Sequence, residues 1–335
     1  MREQEAERWL SVLTNLGRAP NTILAYRRAL DDYLDFCAQQ QKRPEHVNRE
    51  QIALFVRSMT ERPMSGRGTP SATAPRSGLA NATIHQRLTA VRLYHDHLVE
   101  EGIRRDNPVG RGRYTPHSGF GGARPRALIP RYTTLPWIPN DEEWRAMLEA
   151  AREGPLRNRL MLGLAYDAGL RREELCSLRT GDFDPANRLL HIRAEATKGR
   201  RARVLPYSVP TGALLAAYLA HRRTLTRERG RLFVSESRRN RAAPITLWTW
   251  SKVVQALARQ CGLPRLGTHT FRHLCLTDLA RAGWELHEIS TFAGHRHTST
   301  TLVYIHLSGR ELSAKLARAT SIHGHRMVQV AQALG

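Results

Sequence analysis

A basic stretch rich in glycine and proline interrupts the chain at residues 111–137. It contains no acidic residue, and its composition favours neither a helix nor a strand. On both sides of it, apolar residues recur about every 3.6 positions, which predicts helices. We therefore expect two mostly helical units joined by a basic linker, a division that suits a length of 335 residues.

The first unit, residues 1–110, is expected to be a small helical domain. Its apolar spacing predicts a helix after Pro20, a second over 48–61 and a third over 82–101. Between the last two, residues 62–78 are rich in Gly, Pro and Ser, which is typical of a loop.

The second unit is expected over 138–322, followed by a short tail at 323–335. Asn140 and Glu143 form a capping pattern ahead of its first helix. Two short runs, Leu189–Arg193 and Arg203–Pro206, flank a turn-like Lys-Gly pair and predict a β-hairpin. The pattern then returns to helices. The fold class predicted is mostly α, with one small antiparallel sheet in the second unit.

The formal net charge of +22 makes a polyanion the expected partner, with nucleic acid ahead of an anionic membrane surface. No apolar run reaches the ~20 residues that a membrane span needs. The first ten residues carry charges where a signal peptide would be apolar, so we expect a cytoplasmic protein. Several arginines are candidates for contacts with a phosphate backbone: Arg111, Arg113, Arg124, Arg126 and Arg131 in the linker, and Arg200 and Arg201 in the hairpin.

Four clusters in the second unit carry candidate chemistry. They are GLRREEL (169–175), TKG (197–199), HTFRH (269–273) and GHRHTSTTLVYIH (294–306). Each is weak alone, but together they offer arginines, a lysine, histidines and a tyrosine. Paired arginines suit the oxygens of a phosphodiester, and a tyrosine hydroxyl can act as a covalent nucleophile. Lys198 is one of only four lysines in the chain, and a lysine can protonate a leaving oxygen where arginine cannot.

The histidines also allow another interpretation. His269 and His273 lie four residues apart, as a zinc pair on a helix would. However, HTFRH lacks the Glu of HExxH, and no third ligand has a fitting spacing. We therefore expect neither a metal nor a cofactor, and a packing or orienting role for His273.

The four clusters together resemble the motif set of the tyrosine recombinases, also called the phage integrase family. GLRREEL is similar to the family's first arginine motif, and TKGRRARVLP resembles its lysine-bearing β-hairpin. HTFRH matches the His-x-x-Arg pattern. The last cluster matches a Gly-His segment followed, nine residues after the histidine, by the nucleophile. The resemblance implies these catalytic residues: Arg171, Lys198, His269, Arg272, His295 and the nucleophile Tyr304, with Glu174 and His273 in support.

The resemblance also implies an architecture and a reaction. Residues 1–110 would be a SAM-like core DNA-binding domain, and 138–322 the catalytic domain. The enzyme would cleave and rejoin DNA strands in site-specific recombination, through a 3′-phosphotyrosyl intermediate and without metal or ATP. Arg171, Arg272 and His295 would hold the phosphoryl oxygens, Lys198 would protonate the leaving oxygen, and His269 would assist proton transfer at the nucleophile.

The implied partner is double-stranded DNA carrying a recombination site, bound by a dimer and paired in a tetrameric synapse. Partner recombinases or a DNA-bending factor could take part, and the tail 323–335 could dock on a neighbouring protomer. We expect a bacterial, nucleoid-associated protein without membrane contact. Two alternatives remain: a type IB-like topoisomerase with the same chemistry, and a catalytically silent DNA-binding protein of the same fold.

Overall fold

A computed structural model describes residues 2–62, 78–110, 128–130, 135–197, 199–307 and 332. The chain divides into two compact units, residues 1–134 and 135–335. Most of the predicted loop 62–78 lies outside the described residues, as do Lys198 and the tail apart from residue 332. The same holds for the five linker arginines. The domain boundaries drawn from the sequence stay predictions.

The described residues of the first unit form four α-helices: α1 (Arg2–Asn15), α2 (Pro20–Gln39), α3 (Arg49–Glu61) and α4 (Asn81–Glu100). Pro20 occupies the first turn of α2, where a missing N–H costs no hydrogen bond. Asn48 and Gln51 form a reciprocal capping box at the start of α3.

The core of the first unit contains one buried polar network. His95 is fully buried on α4; its Nε2 lies 2.8 Å from the Tyr33 hydroxyl and its Nδ1 2.9 Å from Arg104 Nη1. Because Arg104 can only donate, Nδ1 accepts and Nε2 carries the proton. Burial and the charge of Arg104 lower the pKa of His95 to about 3, so the ring is neutral.

The second unit contains eight described helices and a small sheet. The helices are α5 (Asp141–Arg152), α6 (Leu156–Asp167), α7 (Arg172–Ser177), α8 (Val209–Leu225), α9 (Leu247–Gln260), α10 (Thr270–Arg281), α11 (Leu286–Ala293) and α12 (Leu302–Leu307). The capping box of Asn140 and Glu143 is present at the start of α5, as predicted. Helix α6 packs against α8 and α10 in the core.

The sheet has the strand order β1-β2-β3 and is antiparallel throughout, with β1 at Phe183–Asp184, β2 at Leu189–Ile192 and β3 at Arg203–Pro206. Leu190 pairs with Leu205 and Ile192 with Arg203, and the three apolar side chains are buried. The prediction of a mostly α fold with a small antiparallel sheet is confirmed. Strand β1 was not predicted.

Among the described residues, no helix combines the length and the hydropathy that a membrane span requires.

Candidate active site

Arg171 is placed by the end of one helix and the start of the next. Helix α6 ends before Gly169, whose φ of +55° is in the left-handed region that favours glycine, and α7 begins at Arg172. The backbone N–H of Arg171 donates to Glu174 Oε2 at 3.0 Å. Its guanidinium donates to Glu174 Oε1 at 2.9 Å and to the Gly294 carbonyl at 3.2 Å. Arg171 therefore has a fixed orientation while part of its side chain remains exposed.

Glu174 is the buried anion beside this arginine. Only 1% of the residue is exposed, and its carboxylate also accepts two hydrogen bonds from Arg203 on β3, at 3.0 and 2.8 Å. Burial alone would raise the pKa of Glu174. The hydrogen bond and charge of Arg203, followed by the backbone N–H and charge of Arg171, lower it to about 2. Glu174 is therefore ionised at neutral pH.

Arg272 lies on the first turn of α10 and is buried. Its Nη1 donates to the Gly169 carbonyl and its Nη2 to the Ala293 carbonyl, both at 2.6 Å. Nη2 is also 3.0 Å from Nε2 of His295. Burial, and next the positive charge of Arg171, lower the pKa of Arg272 to about 10. The two arginines thus repel each other across a site that would be stabilised by an anion.

His295 follows the turn at Gly294 that ends α11. Its Nε2 faces the donor Arg272, so Nε2 accepts, and Nδ1 donates to the hydroxyl of the buried Thr301 at 2.9 Å. Burial and the charges of Arg272, Arg171 and Arg203 lower the pKa of His295 to about 3. The ring is therefore neutral in this structure.

Tyr304 lies on α12 and is buried, with 4% of the residue exposed. Its hydroxyl is 3.1 Å from Nδ1 of His273, and its ring is stacked parallel to that of His295 at 6.1 Å. Burial raises the pKa of Tyr304, while the charges of Arg272 and Arg171 act to lower it. Burial, followed by His269 and Arg272, lowers the pKa of His273 to about 4, so this imidazole is neutral and can accept a proton.

The histidine in contact with the tyrosine hydroxyl is thus His273, whereas His269 was the one expected at the nucleophile. His269 stands at the start of α10, and its ring meets that of His273 edge-on at 6.2 Å. Its side chain has no hydrogen-bond partner in the described part of the chain. Burial, followed by the charge of Arg272, lowers the pKa of His269.

The described residues of the loop between β2 and β3 flank Lys198 on both sides. Thr197, immediately before Lys198, is buried; its hydroxyl accepts the N–H of Arg201 at 2.9 Å and lies 2.9 Å from the Ala194 carbonyl. Arg200 and Arg201 are both exposed. A hydrogen bond between Thr197 and Arg201 therefore joins the described residues on the two sides of Lys198.

Together these contacts define an electropositive site. Arg171, Arg203 and Arg272 bring three positive charges, Glu174 one negative charge, and the nearby imidazoles none at neutral pH. Arg171 uses two of its five side-chain N–H donors and Arg272 three on described partners, which leaves donors for an anion. No group of three or more His, Cys, Asp or Glu side chains that could hold a metal occurs among the described residues.

Sequence reasoning missed two residues of this site. Arg203 was assigned only to the predicted hairpin, and Thr301 was given no role within the cluster at 294–306. Their contacts with Glu174 and His295 depend on how the chain folds back on itself. The one signal for Arg203 is its place in the hairpin sequence that carries Lys198.

Such a site, on a mostly helical fold with a small sheet, suits an enzyme that transfers phosphoryl groups to a tyrosine. The profile of the phage integrase family matches residues 138–311, and that of the phage integrase N-terminal SAM-like domain matches residues 6–102. The chain belongs to the phage integrase family, the tyrosine recombinases, and is a site-specific recombinase by family.

Relatives match along most of the chain. A tyrosine recombinase of Thermosipho africanus is 26% identical over 294 residues, covering 87% of this chain and 90% of the relative. The tyrosine recombinase XerC of Mycobacterium leprae is 28% identical over 301 residues, covering 83% and 94%.

Solved structures share the fold at low identity. A lambda integrase (75–356) dimer bound to a COC′ core site matches with a TM-score of 0.65 and 16% identity, over 90% of this chain and 94% of that one. XerH recombinase bound to palindromic difH DNA, a post-cleavage complex, matches with a TM-score of 0.65 and 20% identity, over 88% and 79%. The predicted SAM-like and catalytic fold classes are thereby confirmed.

Proposed function

We propose that this recombinase cleaves and rejoins DNA through a 3′-phosphotyrosyl bond formed by Tyr304. One observation carries the proposal. The Tyr304 hydroxyl is in contact with a neutral imidazole and lies in the field of two arginines that keep donors for a phosphate. The family and the DNA-bound structures that share the fold support the same reaction.

In the first step, the Tyr304 oxygen attacks a scissile phosphorus and the bond to the 5′ oxygen breaks. The phenol proton passes to a histidine. His273 has the geometric support, because its Nδ1 lies 3.1 Å from the hydroxyl. His269 remains our sequence-based candidate for assistance, and it would act next to His273.

Arg171 and Arg272 are proposed to hold the non-bridging oxygens, whose charge grows in the transition state. His295 is the third proposed phosphate ligand. Its Nε2 now accepts from Arg272, so Nε2 needs a hydrogen, from protonation of the ring or from a change of tautomer, before it can donate to a phosphate. A bound phosphate favours protonation, since its negative charge raises the pKa of a neighbouring imidazole.

Lys198 is proposed to give its proton to the leaving 5′ oxygen. The Arg201 N–H donates to the Thr197 hydroxyl, so a hydrogen bond joins the described residues on either side of Lys198. In the return step the 5′ hydroxyl of the partner duplex attacks the phosphotyrosine and Tyr304 recovers its proton. The number of phosphodiester bonds is conserved, so ATP is not required, and Arg171 and Arg272 are proposed to supply the positive charge that a metal would otherwise bring.

Tyr304 is buried in this structure, so its hydroxyl has to become accessible before cleavage. It lies on α12, whose described residues follow a 3-10 turn at Thr298–Thr300. We infer that DNA binding moves α12 and exposes the hydroxyl.

The proposed partner is a recombination-site duplex bound by two protomers, with four in a synapse. The lambda integrase dimer on its core site and XerH on difH are the precedents. Arg200 and Arg201 are exposed and suited to backbone contacts, and the linker arginines Arg111, Arg113, Arg124, Arg126 and Arg131 are proposed for the same role. A nucleoid-associated location in the bacterial cytoplasm follows from this partner.

Covalent trapping tests the proposal. Nicked duplexes tiled across the DNA that flanks the gene are incubated with protein and separated on a denaturing gel. A nick beside the scissile phosphate lets the short 5′-hydroxyl fragment leave, so the adduct accumulates. Tyr304→Phe should bind DNA and form no adduct, whereas Tyr166→Phe, which removes a hydroxyl bonded to Asp278, should still form it. An adduct with Tyr304→Phe would contradict the assignment of the nucleophile.

The alternatives give other results. A silent DNA-binding protein gives no adduct with wild-type protein on any duplex. A type IB-like topoisomerase gives the adduct and relaxes supercoils without exchanging strands between two duplexes.

A further inference from the structure

Arg203 directs its guanidinium into the protein. Its Nε donates to the Phe292 carbonyl at 3.0 Å, and Nη1 and Nη2 donate to the two oxygens of Glu174 at 3.0 and 2.8 Å. Its side chain is 9% exposed, against 21% for Arg171 on the other side of the same carboxylate. Arg203 is therefore not placed to bind a phosphate itself.

These contacts tie three parts of the site together. Arg203 belongs to β3, Glu174 to α7, and Phe292 to the end of α11 just before His295. The close approach depends on Gly294, where an added Cβ would lie 3.0 Å from Nη1 of Arg203. One guanidinium thus links the strand after the Lys198 loop, the helix that begins after Arg171, and the turn that carries His295.

The charges give this link a second consequence. Glu174 is ionised and buried, and if Arg171 were its only partner the two charges would cancel near the phosphate position. With Arg203 on the other side of the carboxylate, the three groups carry a net charge of +1. A net positive group stabilises a pentacoordinate phosphorus better than a neutral pair does.

We propose that Arg203 is a positioning residue for the recombination reaction: it takes up the charge of Glu174 and so leaves the charge of Arg171 available to the scissile phosphate. The proposal rests on the proposed function, because it assumes that Arg171 binds that phosphate. The role proposed for Arg203 is electrostatic, which distinguishes it from a role in folding alone.

The test compares cleavage of two nicked duplexes of the same sequence by Arg203→Met. One carries a normal scissile phosphate, and the other a methylphosphonate, which lacks one negative oxygen. Removing a direct donor to a transition-state oxyanion lowers rates by ~10²–10³. Because Arg203 acts through Arg171, we expect a smaller loss on the phosphate, on the order of 10- to 100-fold. On the methylphosphonate, where positive charge matters less, the loss should shrink to about threefold.

The double variant Arg203→Met/Glu174→Gln tests whether removing the charge of Glu174 raises or lowers the cleavage rate of Arg203→Met. Like the single variant it lacks the hydrogen bonds of Arg203, and it also lacks the carboxylate that would otherwise neutralise Arg171, so the charge of Arg171 is released. We expect it to cleave the phosphate substrate at least about fivefold faster than Arg203→Met, a coupling typical of neighbouring charged groups. A role in packing alone predicts equal or slower cleavage. If Arg203→Met does not fold, the test compares the double variant with wild type on both substrates. The double variant should then lose no more rate on the phosphate than on the methylphosphonate.

Arg193→Met is the matched control. Arg193 donates to the nearly buried Asp182 at 3.0 Å and to the Ser177 carbonyl at 2.8 Å, so it too pairs a strand-end arginine with a buried acid. Its loss should lower stability and leave the ratio of the two cleavage rates unchanged.

The proposal is overturned if Arg203→Met loses the same factor on both substrates or if the double variant is no faster than the single. Failure of the proposed function gives a different result: either wild-type protein forms no adduct, or the adduct persists in Tyr304→Phe.

Discussion

Replacing Glu174 with glutamine tests whether the buried carboxylate is as strongly stabilised by its arginines as the structure indicates. The change keeps the size of the side chain and removes its charge. It leaves Arg171 and Arg203 facing each other across an amide that cannot accept all four of their hydrogen bonds. The second unit should therefore lose stability.

The magnitude follows from the pKa of the carboxyl. A pKa that falls from 4.5 to about 2 on folding corresponds to about 3 kcal/mol of stability at neutral pH. Because the folded pKa is depressed, this contribution is complete above the unfolded value and is lost as pH falls toward 2. At pH 3 about 1.4 kcal/mol of it should remain. The deficit of Glu174→Gln should therefore shrink by about 2 kcal/mol between pH 7 and pH 3.

Urea unfolding followed by tryptophan fluorescence measures this deficit, since five of the six tryptophans belong to the second unit. Glu195→Gln is the control: Glu195 forms an exposed ion pair with Arg193, and such pairs contribute only ~0–1 kcal/mol. A deficit in Glu174→Gln that is the same at both pH values would refute the linkage. A stability equal to wild type at pH 7 would refute the whole account of this carboxylate.

Three further expectations concern the chemistry and the assembly. Lys198→Ala should slow cleavage by ~10²–10⁴, and a 5′-bridging phosphorothiolate should restore the rate because a thiolate leaves without a proton; absence of rescue would make Lys198 a phosphate contact only. Cleavage should proceed in excess EDTA, and loss of cleavage with DNA binding intact would return His269 and His273 to consideration as metal ligands. Deleting 323–335 should leave binding to a single site near normal and weaken synapsis, since the apolar tail is expected to dock on a neighbouring protomer; full-rate recombination through four-protomer synapses would contradict that docking.

The parts of the fold that could be predicted from the sequence are those that depend on local patterns. The helices follow from the spacing of apolar residues, and the start of α5 follows from Asn140 and Glu143, which lie three residues apart in the chain. The hairpin follows from two short runs on either side of a turn. Strand β1, by contrast, has only two residues, too few to show any alternation.

The network around the candidate site could not be predicted in the same way. Arg203 lies 29 residues from Glu174 in the sequence, and His273 lies 31 residues from Tyr304. Nothing in either local sequence specifies such a partner. Because HTFRH offers two histidines one turn apart, the motif alone does not say which of them meets the tyrosine. The motif residues themselves came from resemblance, and their catalytic roles stay predictions.

Mapping the covalent bond tests the central claim most directly. Wild-type protein trapped on a nicked duplex is digested with trypsin and nuclease, and its peptides are sequenced by mass spectrometry. The account predicts that the peptide from His297 to Arg310 carries a nucleotide attached through its 3′ phosphate to Tyr304. A nucleotide on any other residue, or one attached through a 5′ phosphate, would contradict it.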